Sequence, residues 1–482
     1  MSISSALNTA RAGLNVVGAR ADLVATNVAN ASTPGYVRRA LTVSETILGG
    51  ETSGVQVNGI DRSVDARLTE ERRRLGSDMA QADVLSETWG ALSQRIGDDI
   101  ESSTLFRNMA AFDSAVKDAA QSPESTTHAN QVVLSANDLV SEFTSLSSLI
   151  SQERQRADQD IAASVDSLNA SLKDIEDLNR ALASIDRGSA EAAALFDERG
   201  RVLDRISEFL PIQTHPRESG AIDVLTSEGV FLVAGPAREV SFTPANAVSS
   251  AQSLANGMLS GLMVSDTDIT PGVGTFGAVS SGSLAALFTL RDTDLPELET
   301  QLDTMAQDLI DRFSDPSIDA TNPAGSPGLF LDTDDTAGTG TAGRLQLNAL
   351  VDPDQGGAVW RLRDGLGSAV PGSPGDNTIL SNLSNAFETV RSINVPGLQG
   401  GFTATDLVAQ LGSLAGQKRI QNESVMSSTS LQFGAVQQAE ADATSVDIDK
   451  EMQDLLIIEQ AFAANARVIE AASQMVRQLM EI

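Results

Sequence analysis

Only two histidines, His128 and His215, stand in this chain of 482 residues, and there is no cysteine. The histidines lie in different segments and neither has a partner at metal-ligand spacing, so each reads as a surface or loop residue. Disulfides, thiol nucleophiles and Cys-ligated zinc are excluded, and two scattered imidazoles build no Ser/His/Asp arrangement. Three other strings could do chemistry. The run 272–277, Gly-Val-Gly-Thr-Phe-Gly, has the spacing of a dinucleotide loop, but no strand–helix unit surrounds it, so it reads as a flexible loop. Asp332, Asp334 and Asp335 could hold a cation, yet the glycine and closing Glu of a calcium loop are missing, which leaves a solvated acidic loop. Asp197 and Glu198 offer carboxylates on one helical turn, with nothing to indicate a cleft around them. A glycosidase-like pair stays open only because 65 acidic residues offer many pairs. The expectation is therefore no catalytic residue, no cofactor and no metal: a structural building block rather than an enzyme.

The chemistry that remains is association. Ile3, Leu7, Ala10, Leu14, Val17, Ala21, Val24 and Val28 recur at alternating intervals of four and three, and all are apolar. Asn8, Arg11, Asn15 and Asp22 fall off that stripe. Such a narrow seam predicts a coiled-coil helix rather than a broad globular face. The other end repeats the pattern with Leu455, Ile458, Phe462, Asn465, Ile469, Ala472, Val476 and Leu479. Asn465 is the one polar seam position, which lowers stability but can fix register. Two seams at opposite ends need cover, and pairing with each other and with further copies supplies it. Helices of this length are marginal in water, so both ends are expected to fold fully only on assembly.

Positioning these seams falls to the rest of the chain. The first helix stops at Asn30, and Pro34-Gly35 fits the two central positions of a turn with Gly35 at positive φ, followed by Tyr36. Residues 36–43 and 54–60 read as short strands. Helical patterns cover about 64–120, 130–185, closed by Arg187-Gly188, and 190–209, then 284–313, and resume near Asn377. Strands are expected within 212–214, 221–225, 230–233, 344–347 and 359–362. The fold class is thus α+β and multidomain. Residues 1–63 and 441–482 give terminal coiled-coil helices with a short β-like arm. Residues 64–210 and 376–440, with helix 284–313, give a helical bundle. Residues 211–283 and 314–375 give an inserted, β-rich outer region.

Composition bounds the partners. Against 33 Lys+Arg there are 65 Asp+Glu, a net charge of −32, which repels nucleic acid and anionic lipid. Arg72, Arg73 and Arg74 form the one basic cluster, read as a solvated helix face or as a contact to an acidic neighbouring subunit. Aromatic content is only 4%, too low for a ring-lined ligand groove. No apolar run is long enough to span a bilayer, and the N-terminus lacks a Sec-type signal, so the chain stays in the cytoplasm or leaves by another route.

The stretch 27–36, Asn-Val-Ala-Asn-Ala-Ser-Thr-Pro-Gly-Tyr, resembles the N-terminal signature of the bacterial flagellar rod, hook and hook-associated family. The segments 445–451 and 461–469 look like its C-terminal signature. The segments 195–204, 282–287, Arg291-Asp292, Leu295-Pro296 and 375–377 are similar to those of its hook-associated members, the subunits at the hook–filament junction. That resemblance implies an extracellular structural subunit polymerising through its terminal helices. Ile3, Leu7, Leu14, Val17, Val24, Val28, Leu455, Ile458, Phe462, Asn465, Ile469, Val476 and Leu479 would be its interface, and Asn30, Pro34, Gly35 and Tyr36 its turn. The implied partners are copies of itself, the hook protein, the next junction protein and a cytoplasmic export chaperone on the C-terminal helix. Implied too is type III export without a cleaved signal peptide. The rival readings are another axial subunit, such as the hook protein, and a secreted adhesin or enzyme with borrowed axial ends.

Overall fold

The computed structural model describes residues 3–48, 51–97, 102–273, 277–323, 325–334 and 338–480. Helix α1, Ile3–Asn30, leads into an antiparallel hairpin of β1, Arg39–Leu48, and β2, Glu51–Arg62. Three long helices follow: α2, Ala66–Ile96, α3, Thr104–Gln121, and α4, Thr126–Ser184. Each begins at a residue built for the job, because the side chains of Asp65, Ser103 and Ser125 accept from the free amides of the first turn. At 59 residues α4 is roughly 90 Å long. Its apolar stripe from Leu139 through Ile161 and Leu168 to Leu182 is buried throughout, so it forms the spine of the body.

After α5, Ala190–Phe209, the sheet of β3, Ile212–Pro216, β4, Ile222–Thr226, and β5, Phe231–Val233, is laid down. A smaller one joins β6, Val240–Ser241, β7, Met263–Val264, and β8, Thr267–Asp268. The expected single helix over 284–313 is two, α6, Ser283–Thr289, and α7, Leu295–Phe313, with a π turn over Leu290–Asp294 between them. Pro296 has no amide to donate, so the helical ladder must shift there. The shift aims Arg291 at Asp158 of α4, 2.7 Å away, with both side chains fully buried. Among the described residues, 314–375 hold a two-stranded ribbon, β9, Phe330–Asp332, with β10, Leu345–Leu347, two short helices, α8, Thr341–Arg344, and α9, Arg361–Asp364, and a 3-10 turn over Pro353–Gln355. Among the described residues, no strand of 211–283 pairs with one of 314–375.

Two further expectations are corrected. The strand over 359–362 is instead a turn entering α9, because the amide of Arg361 bonds back to Ala358 and its guanidinium holds the carbonyls of Leu366 and Ser368. The helical stretch resuming at Asn377 is interrupted. Helix α10, Thr378–Glu388, gives way to a hairpin of β11, Arg391–Val395, and β12, Leu398–Phe402, before α11, Ala404–Thr444, and α12, Ile448–Met480. Pro396-Gly397 makes its turn, with Gly397 at φ 76°.

One continuous apolar core runs from Trp89 to Ala415 and takes in α2 to α7, the sheets that follow α5 and the start of α11, but not the described residues of the β1–β2 hairpin. The terminal helices hold a separate, minute core of Val17, Val24 and Ile458. Within the large core Glu299 sits with Arg154 at 3.6 Å, while the guanidinium donates to the carbonyls of Arg291, Ser249 and Gln252 instead. Burial, against the pull of Arg154, pushes the Glu299 carboxyl from 4.5 up to about 7. A raised folded pKa means that the stability this group contributes is full below about pH 4.5 and is lost as pH rises through about 7. The difference in unfolding free energy between the native chain and Glu299→Gln should therefore shift by about 2–3 kcal/mol between pH 5 and pH 8, against the native chain at pH 8. Urea titrations at the two pH values check this.

Candidate assembly interface at the terminal helices

Helix α1 presents its predicted stripe as expected. Ala10, Val17 and Val24 are buried, the other stripe positions are half-buried, and Asn8, Arg11, Asn15 and Asp22 face solvent. A second row, Val16, Leu23 and Asn27, is buried as well, since the hairpin β1–β2 lies along that flank. Gly54 permits this close approach, because a Cβ there would stand 3.1 Å from the Ala12 methyl group.

Helix α12 divides the predicted seam. Ile458, Asn465, Ile469 and Ala472 are covered or half-covered, with Ala461 beside them. Leu455, Phe462, Val476 and Leu479 are exposed, so the expected single stripe does not face α1 in one chain. The reason lies in the sequence of α12, whose apolar residues Leu455, Leu456 and Ile457 are consecutive and cannot share one face. Asn465 sets register by shape. Its side chain turns back to the Ala461 carbonyl at 3.0 Å and packs over Gly13, where a Cβ would lie 2.9 Å from its oxygen. Gly13 is therefore a notch as well as a helix-weakening residue.

The turn and the helix ends meet in a polar knot. The Tyr36 amide closes on the Thr33 carbonyl at 3.1 Å around Pro34 and Gly35, and Gly35 has the positive φ, 75°, that the sequence predicts. Asn30 stays local, its amide donating to the Thr26 carbonyl. The Tyr36 ring has partners: its hydroxyl donates to Asn27 Oδ1 at 2.9 Å and the Arg39 guanidinium stacks over it at 4.7 Å. Burial, partly offset by Arg39, raises its pKa. Asn27 also accepts from the Arg39 amide at 3.2 Å, and its Nδ2 donates to the Arg39 carbonyl at 2.9 Å and to Glu451 at 3.2 Å. Glu451 is fully buried and takes Arg38 Nε at 2.7 Å. Asp197, likewise buried, holds Arg39 at 2.8 Å and Arg62 at 2.6 Å, tying the arm to α5. The arm also touches the body where the Ile60 amide donates to the Gly188 carbonyl at 2.9 Å.

A model of the "Flagellar hook-associated protein FlgK helical domain" matches residues 92–329, and one of the "Flagellar basal body rod FlgEFG protein C-terminal" matches 442–482. Over these residues the chain is similar to flagellar hook-associated proteins and, at its C-terminal end, to flagellar rod proteins. "Flagellar hook-associated protein 1" of Escherichia coli (strain K12) is 21% identical over 322 residues, covering 65% of this chain and 57% of that protein. The protein of that name from Bacillus subtilis (strain 168) is 20% identical over 512 residues, covering 98% of this chain and 97% of its own. The first of these alignments spans little more than half of its relative. A solved structure, "The structure of the flagellar hook junction protein FlgK from Burkholderia pseudomallei", is 16% identical with a TM-score of 0.45, covering 55% of this chain and 46% of that one.

In the structure the sequence-read chemistry is rearranged. Arg72 and Arg73 are not a solvated face: Arg72 bridges Asp204 and Glu440, and Arg73 meets Asp204 at 2.8 Å, pinning α2 to α5 and α11. Only Arg74 is exposed, paired with Glu71 and Asp78. Asp197 does line a cleft, contrary to expectation. Asp332 is paired with Arg344 at 2.8 Å, while Asp335 and residues 274–276 of the glycine string lie outside the described residues. His215 is exposed on β3, and His128 sits in the first turn of α4. Among the described residues, no cluster of His, Asp or Glu could hold a metal ion.

The sequence reading missed Asn27, Arg38, Arg39 and Glu451 as a group. The available signals were a polar residue on the flank of an apolar stripe and an arginine doublet just past the turn. Asn27→Asp removes both amide donors and places a second carboxylate against the buried Glu451. It should cost about 3–5 kcal/mol at the knot and undock α12 while the large core melts as before. Hydrogen exchange across 448–480, set beside that of α4, reads both effects.

Proposed function

We propose that this chain is a structural subunit of the bacterial flagellum that joins hook to filament by polymerising through its terminal helices. The observation that carries this reading is the uncovered apolar surface of α12: Leu456 is 59% exposed, Ile457 62%, Phe462 53% and Leu479 63%, all on a helix whose other face already packs on α1. Burying four such side chains contributes roughly 1.5–3 kcal/mol each, on the order of 10 kcal/mol. Association costs about 4–15 kcal/mol, so one contact is near balance and several neighbours in a lattice tip it. The minute core shared by α1 and α12 fits the same scheme, with ends that complete their folding only among neighbours.

The name of the relatives, hook-associated protein, supports a place against the hook; in this reading the hook protein lies on one side of the chain and the next junction protein on the other. Export by the flagellar type III route, with a chaperone shielding α12 beforehand, follows from the same reading. An extracellular location and the absence of enzymatic chemistry go with it.

Phe462→Asp and Ile458→Asp separate surface from core. Phe462 is uncovered in the single chain, so Phe462→Asp should leave the monomer's melting unchanged and abolish incorporation onto isolated hooks. Ile458 is buried against α1, so Ile458→Asp should loosen the helix pair in the monomer itself. Normal incorporation of Phe462→Asp would remove the reading.

A further inference from the structure

Beneath the Pro34-Gly35 turn lies a cleft of about 470 Å³, walled by the turn, α2, α5 and the end of α11. Five arginines line it: Arg62, Arg72, Arg73, Arg199 and Arg201. Four of them face carboxylates, Arg62 at Asp197, Arg72 at Asp204 and Glu440, Arg73 at Asp204, and Arg201 at Glu198. Arg199 differs. Its guanidinium stacks on Phe196 at 4.9 Å and donates to neutral oxygens, the Gly220 carbonyl at 2.8 Å and Asn179 at 3.3 Å. Burial, with Arg62 and Arg73 as like charges nearby, holds its pKa down at about 10. A half-buried cation beside two others, with only neutral acceptors, has charge left to satisfy.

We propose that this cleft is an oxyanion-binding site whose occupant in the assembled state is a side-chain carboxylate of a second copy of the chain. The occupant rests on the polymerising role proposed above. Ser445, in the cleft wall, stands just before α12 begins at Ile448, so the cleft adjoins the helix on which a second copy would pack. With 65 acidic residues against 33 basic ones, the surface such a copy presents is rich in carboxylates.

Two measurements test this. The first titrates sodium sulfate into the monomer and follows arginine Nε–H resonances, with Arg199→Gln assigning the signal. The expected result is a saturable shift at Arg199 and none at the exposed, already paired Arg74. No saturable shift, or an equal one at Arg74, overturns the site. The second compares the critical concentration for polymerisation at low and high salt. Arg199→Gln should raise it about tenfold at low salt, the size of one charge-assisted pair, and flatten its salt dependence, while Arg199→Lys recovers most of the loss. If sulfate binds but Arg199→Gln polymerises like the native chain, the ligand is a free anion and the second-copy assignment is overturned. Phe462→Asp separates the two proposals, since it should fail to polymerise yet bind sulfate as the native chain does. If the native chain forms no polymer, the polymerising role fails and this occupant with it, while the sulfate titration still decides the anion site.

Discussion

A carboxylate with no exposed surface is the constraint around which the ends of this chain are arranged. Glu451 lies in the first turn of α12, fully buried, where an unpaired charge would cost several kcal/mol. It needs donors, and Asn27 of α1 and Arg38 of the arm are the ones in reach. Meeting that need places the last turn of α1 against the first turn of α12. It also fixes where the chain leaves α1, because Asn27 holds the backbone of Arg39 from both sides. Arg39 then carries the constraint to Asp197 on α5, and so to the body.

The joint is thus polar, whereas what lies on either side is apolar. The body buries one continuous core, and the apolar cluster between the terminal helices has three buried members. Apolar contacts are non-directional and tolerate sliding, while hydrogen bonds to fixed partners do not. A polar joint between two cores therefore specifies an orientation that hydrophobic packing alone would leave loose. Asn465 over Gly13 does the equivalent for the helix pair, by shape rather than by charge.

Much of this architecture was readable from residue order, and the reasons differ by element. The stripe of α1 was legible because every member is apolar and finds cover within the chain. The spine α4 was legible for the same reason, although it starts at Thr126, four residues before the 130 read from its pattern. The seam of α12 was half legible: three consecutive large apolar residues blur the phase, and the surface they need is absent from a single chain. The hairpin β11–β12 was missed although Pro396-Gly397 punctuates it, because the helical pattern on both sides was extended across it. The polar knot was illegible for a more basic reason. Asn27 and Glu451 are 424 residues apart, and neither carries any local sign of the other. Asp197, read as an idle carboxylate on a helix turn, was in the same position.

One contact has mechanical weight beyond its area. The arm meets the body at Gly59 and Gly188, where a Cβ on Gly59 would come within 2.7 Å of the facing Cα. Gly188 lies four residues past the C-terminal end of α4. The large core grips α4 along its length, whereas the described residues of the β1–β2 arm contribute nothing to that core. Bulk added at the glycine pair would therefore act as a wedge that swings the arm, and with it the end of α1, away from a body that cannot yield.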